Sequence, residues 1–128
     1  MVEIIKAAGS PPSTSPVSQA TRAAGLVFVG GQMPRDESGG IPQDPAQQVR
    51  LTMQHCLAVL AAANCGPGDV ALATVFLTDL KYKPLVNEEF VKVFGNRGPA
   101  RNLVEVSAIG EGAVVEFAMI AESDVMPR

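Results

Sequence analysis

The sequence predicts an α+β chain in which a mixed β-sheet carries two helices packed on one face. Three observations carry that prediction. Short apolar segments rich in β-branched residues lie towards both ends, two stretches of helical periodicity lie between them, and Gly or Pro punctuates the boundaries. The expected order is β-β-β-α-β-α-β-β. With 128 residues, the chain suits one domain, 1–128, around one core.

A short first strand precedes a Pro- and Ser-rich loop from Gly9 to Ser18. Ala20–Ala23 and Leu26–Gln32 form a hairpin about Ala24-Gly25, where glycine permits a positive φ. Leu26-Val27-Phe28-Val29 is continuously apolar, as expected for a strand buried on both faces. After a loop over Pro34–Gln43, Asp44-Pro45 opens the stronger helix, with Asp as N-cap and Pro at the first helical position. Val49, Met53, Cys56, Leu57 and Leu60 form its apolar face, and the helix stops between Asn64 and Gly68. Asp69–Thr78 reads as a strand. A second helix starts at Pro84, with Val86, Phe90, Val93 and Phe94 on one face and Gly95 as its end. Ala100–Ile109 and Ala113–Ala121 are the last strands, joined by a turn at Gly110-Glu111-Gly112. The helices cover one sheet face, and subunit partners are the cheapest cover for the other.

Composition bounds the function. Charged residues make up 18% of the chain, below the roughly 25% usual in soluble proteins, which favours a homo-oligomer. The net charge of −3, without any run of Lys or Arg, argues against nucleic acid as a partner. No signal peptide or membrane span is visible, so a cytoplasmic location is the default expectation. Cys56 and Cys65 lack metal-ligand spacing and read as reduced thiols. One histidine, His55, supplies neither a zinc site nor a Ser-His-Asp triad, and it reads as a surface residue beside the apolar stripe. Ser15 and Ser18 lack a nearby base.

Two charged residues stand inside strand signals. Arg101 could hold a carboxylate through its rigid guanidinium fork, or simply pair with a neighbouring acid at the surface. Glu116 lies in the apolar run Ala113–Met119. There a carboxyl is either raised in pKa and suited to proton transfer, or placed on a wet face, or paired with Arg101 across the final hairpin. Gly30-Gly31 follows a strand and allows close backbone approach, but lacks dinucleotide-binding spacing. Glu105 shares a strand face with Arg101 and reads as a structural or rim residue. Asn87, early in the second helix, is either a ligand donor or an exposed helix position.

The blocks Pro99-Ala100-Arg101-Asn102-Leu103-Val104-Glu105-Val106 and Val114-Val115-Glu116-Phe117 resemble the C-terminal signature of the RidA family. Ser15-Pro16-Val17-Ser18-Gln19-Ala20 is similar to the family's Gly-Pro-Tyr-Ser-Gln-Ala, and Phe28-Val29-Gly30-Gly31-Gln32-Met33-Pro34 to its Phe-Val-Ser-Gly-Gln-Ile-Pro. Thr74–Asp79 and Val86-Asn87-Glu88 agree as well, so the resemblance runs from about residue 3 to 122. It implies a chorismate-mutase-like fold, a homotrimer with clefts between subunits, and no cofactor or metal. The implied activity is hydrolysis of 2-aminoacrylate-like enamine or imine acids to 2-keto acids and ammonia. Arg101 would hold the substrate carboxylate, Glu116 would orient water, and backbone near Leu103 would complete the site. Gly30, Gly31, Val17 and Asn87 would line it.

Three positions depart from the pattern. Val17 stands for the usual Tyr, Gly30 for Ser, and Leu103 for a small residue or Cys, which implies a more apolar, reshaped cleft and a bulkier imine or enamine acid. A non-catalytic ligand-binding trimer, and an enzyme acting on another carboxylated intermediate in the same cleft, are the alternatives.

Overall fold

The computed structural model describes residues 1–9 and 15–123; residues 10–14, half of the Pro- and Ser-rich loop, lie outside the described residues. Six strands and two helices follow one another as β1 (Glu3–Ile5), β2 (Ala20–Ala23), β3 (Leu26–Gln32), α1 (Pro45–Ala62), β4 (Val70–Leu77), α2 (Lys83–Phe94), β5 (Ala100–Glu105) and β6 (Val115–Glu122). The strands form one sheet in the order β1-β2-β3-β6-β4-β5, antiparallel throughout except for the parallel pair β4–β5.

Local chemistry explains the boundaries. Ala24 (φ 54°) and Gly25 (φ 77°) make the two-residue turn between paired Ala23 and Leu26, a geometry that requires positive φ at both central positions. Asp44 caps α1, its carboxylate accepting from the Gln47 amide at 3.3 Å, and Pro45 occupies the first turn. Asn64 (φ 61°) follows the end of α1, and Gly95 (φ 64°) ends α2.

Val27, Val29, Ala73, Val75, Val115, Phe117 and Met119 point to the helix side and pack with Val49, Met53, Cys56 and Leu60 of α1. Phe90 of α2 meets Phe117 edge-on at 5.6 Å between ring centroids. Cys56 and Cys65 are both buried free thiols, and burial pushes the Cys56 thiol pKa far up.

The opposite sheet face has no cover within the chain. One row of strand partners runs Ile4, Thr21, Phe28, Ile120, Leu72 and Ala100, with Ile4 67% and Phe28 38% exposed. The expectation that Leu26–Val29 is buried on both faces is therefore not met within one chain. Its alternate side chains stand on the open face.

The final hairpin is also corrected. Residues 106–114 connect β5 to β6, but these strands do not pair, because β4 lies between them. A parallel β4–β5 pair needs a crossover, and α2 supplies it.

Candidate functional site

The site begins at an irregularity in β3. Val29 pairs with Met119 and Gln32 with Phe117, so Gly30 and Gly31 together oppose Ala118. Such a β-bulge bends the strand and breaks its ladder. Gly31 is where the missing side chain matters. A Cβ there would lie 2.5 Å from a Glu116 carboxylate oxygen. A Cβ on Gly30 would meet only the Gln19 and Ser18 carbonyls, at 3.5 and 3.7 Å.

Around this gap lies a cleft of about 490 Å³ lined by Val17, Gly30, Gly31, Met33, Ile109 and Glu116, among others. Glu116 points to the open side of the sheet, since Val115 and Phe117 on either side of it are fully buried under the helices. Half-buried, with no cation paired to it among the described residues, its carboxyl is raised above the ordinary carboxylate pKa by desolvation.

The structure does not bring Arg101 to Glu116 within one chain. Arg101 pairs in register with Ala73, whereas Glu116 pairs with Phe76, across β4. The two side chains leave opposite faces of the sheet. Arg101 lies over the ring of Phe90, its guanidinium carbon 5.0 Å from the centroid, and no carboxylate pairs with it among the described residues. Leu103 sits on the same face and packs against the core. Asn87 is exposed on α2, one turn before Phe90. The candidate residues therefore form two groups. Val17, Gly30, Gly31 and Glu116 line the cleft, while Arg101, Leu103 and Asn87 mark the edge made by β5 and α2. Glu105 accepts the Leu80 amide at 2.9 Å and caps the turn before α2, consistent with its reading as a rim residue.

Arg35, His55 and Glu111 also line the cleft, a place the sequence does not assign them, and His55 was expected at the surface beside the helix stripe. His55 is half-buried, and its Nε2–H donates to the Arg35 carbonyl at 2.7 Å. Arg35 forms a two-pronged ion pair with Glu111. The pair lowers the Glu111 carboxyl pKa and raises that of Arg35. Neither loop announces that it faces the other, so sequence offers no signal for this pair.

Comparison with known proteins gives the family and the fold. The family model described as endoribonuclease L-PSP matches residues 8–123. A RutC family protein of Pyrococcus horikoshii is 34% identical over 123 residues, covering 94% of this chain and 98% of its own. The 3-aminoacrylate deaminase RutC of Acinetobacter baylyi is 32% identical, covering 93% of this chain and 96% of its own. Among solved structures, a Rid family protein from Yersinia pestis superposes with a TM-score of 0.89 at 30% identity, covering 95% and 99% of the two chains. Escherichia coli TdcF with bound serine does so at 0.88 and 30%, with the same coverage. This chain belongs to the endoribonuclease L-PSP family, the Rid proteins that its C-terminal blocks resemble.

Proposed function

We propose that the chain hydrolyses a reactive enamine or imine carboxylic acid to a 2-keto acid and ammonia. The site is completed between subunits of a homotrimer, each chain 1–128 acting as one domain. The observation that carries this reading is Glu116, a half-buried carboxylate without a cation partner, facing the backbone gap at Gly31 inside a cleft. A relative named for deamination of 3-aminoacrylate supports the reaction class, and TdcF with bound serine supports a small-molecule occupant.

The chemistry asks little of the protein. After an enamine tautomerises, its imine carbon is already electrophilic. One water adds to that carbon, the C–N bond breaks, ammonia leaves, and the water oxygen becomes the keto oxygen. Glu116 takes the proton of the attacking water, a role that a raised pKa suits near neutral pH. Arg101 holds the substrate carboxylate in a fork, and Phe90 beneath the guanidinium fixes its orientation. Arg101 and Glu116 leave opposite faces of one sheet, so Arg101 of one subunit serves the Glu116 cleft of the next. Leu103 and Asn87 reach the substrate from the same edge. The uncovered apolar sheet face, with Ile4, Phe28 and Val104 exposed, provides the surface on which the subunits associate.

Val17 and Gly30 leave the family's usual hydroxyls out of the cleft, which favours a second reading, ligand binding without turnover. One experiment separates the two. Enamine acids are generated in situ, and their decay is followed with wild type and with Arg101→Ala. Acceleration that the variant loses establishes hydrolysis and the anchor. Decay no faster than in buffer across a size series of imine acids overturns it in favour of binding alone.

A further inference from the structure

The cleft is lined by Val17, Gly30, Gly31 and Glu116, and by Met33 and Arg35 just beyond the end of β3. At this end the two walls are different connections: residues 33–44 between β3 and α1, and residues 106–114 between β5 and β6. Arg35 belongs to the first wall and Glu111 to the second, and both line the cleft. Their ion pair runs from wall to wall. It is held from behind as well. The Arg35 guanidinium donates to the Gly39 carbonyl at 3.0 Å, and the Arg35 carbonyl accepts from His55. Underneath, the buried Gln48 amide donates to the Pro42 carbonyl at 2.8 Å and accepts from the Val114 amide at 2.8 Å, tying the same two walls together.

We propose that the Arg35–Glu111 pair is a clasp that sets the length of substrate the cleft accepts. The inference rests on the imine-hydrolase reading of the same site and names its substrate class. That class is 2-imino acids with an unbranched apolar side chain that ends before the clasp. Val17, Met33 and Ile109 line the cleft with apolar side chains. Beyond them the pair closes the path, and a longer chain must break two charge-assisted hydrogen bonds to pass. Because the guanidinium is already neutralised by Glu111, it offers no free charge to a second substrate carboxylate.

The test opens the clasp from either side, with Glu111→Ala and Arg35→Ala. The pair is exposed, so both variants are expected to fold; circular dichroism checks this. A series of imino acids is generated in situ by an amino acid oxidase, with straight side chains of increasing length and one dicarboxylate. Calorimetric binding of the matching 2-keto acids, the products, is measured in parallel. Both variants are expected to raise the long-to-short ratio of kcat/KM, and of product affinity, by about tenfold or more. Ratios that stay at the wild-type value in both variants overturn the clasp. So does a gain confined to the dicarboxylate in Glu111→Ala, which would make Arg35 an anion subsite. If wild type hydrolyses nothing in the series, the hydrolase reading fails, and the binding ratios still decide the clasp.

Discussion

At the scale of single residues, the proposed function depends on an atom that is absent and a charge that is uncomfortable. Gly31 leaves the space that the Glu116 carboxylate occupies, and the same crowded setting desolvates that carboxylate and raises its pKa. A group whose folded pKa is raised binds its proton more tightly in the native state than in the unfolded one. The ionised form therefore costs stability, starting near the ordinary 4.5 and levelling off above the raised value. Glu116→Gln removes the cost. In urea titrations at several pH values, the variant is expected to gain on wild type as pH rises through that window and to hold the gain above it. It is also expected to lose hydrolysis. A stability difference that does not vary with pH would remove the desolvated carboxylate from the argument. Arg101, Glu116 and the paired glycines were legible in the sequence because each breaks an apolar strand pattern. Arg35 and Glu111 were not, because loop residues carry no periodicity and their meeting depends on which loops the fold apposes; His55, on α1, reads from the sequence only as a surface residue beside the apolar stripe.

Among the elements, α1 does most to connect packing with the site. Its stripe of Val49, Met53, Cys56 and Leu60 was readable from helical spacing, and so were its Asp44 cap and Pro45 start. Gln48 was not, since a polar residue beside an apolar stripe reads as exposed, yet it is 1% exposed. Its amide satisfies the Val114 N–H two residues before Glu116, and the Pro42 carbonyl on the other loop. Gln48→Leu fills the space but strands those backbone groups. Leaving buried partners unsatisfied costs about 1–3 kcal/mol each, so chemical denaturation should show a loss of roughly 2–6 kcal/mol if both are orphaned. A loss below about 0.5 kcal/mol, the level of an ordinary surface change, would mean water replaces the amide. The β5–β6 hairpin misled for a related reason. Two consecutive strand signals and a glycine turn describe a hairpin locally, and only the parallel pairing of β4 with β5 across α2 excludes it.

For the whole molecule, the opposite placement of Arg101 and Glu116 makes the oligomer a condition of the proposed mechanism. The proposed mechanism needs both an edge at β5 and α2 and a cleft at the β3 bulge, which lie on opposite faces of one chain's sheet. Such a heterologous contact closes into a ring when the rotation suits, and the proposed ring of three would place every edge in a neighbour's cleft. Arg101→Ala and Glu116→Gln chains should each be inactive alone. In a mixed trimer, a site works whenever a Glu116→Gln chain lends its intact Arg101 to an Arg101→Ala chain with an intact Glu116. Unfolding and refolding an equal mixture should therefore restore about a quarter of wild-type activity, the share of interfaces that pair two intact residues when heterologous subunits assort at random. Light scattering on the same sample gives the assembly size. A trimer that regains no activity on mixing would mean that both residues act from one chain, and a monomer with full wild-type activity would remove the interfacial site. Recovery near a quarter, lost again when the open sheet face is disrupted by Phe28→Glu, would tie the chemistry to the uncovered face that the low charge content of the sequence first suggested.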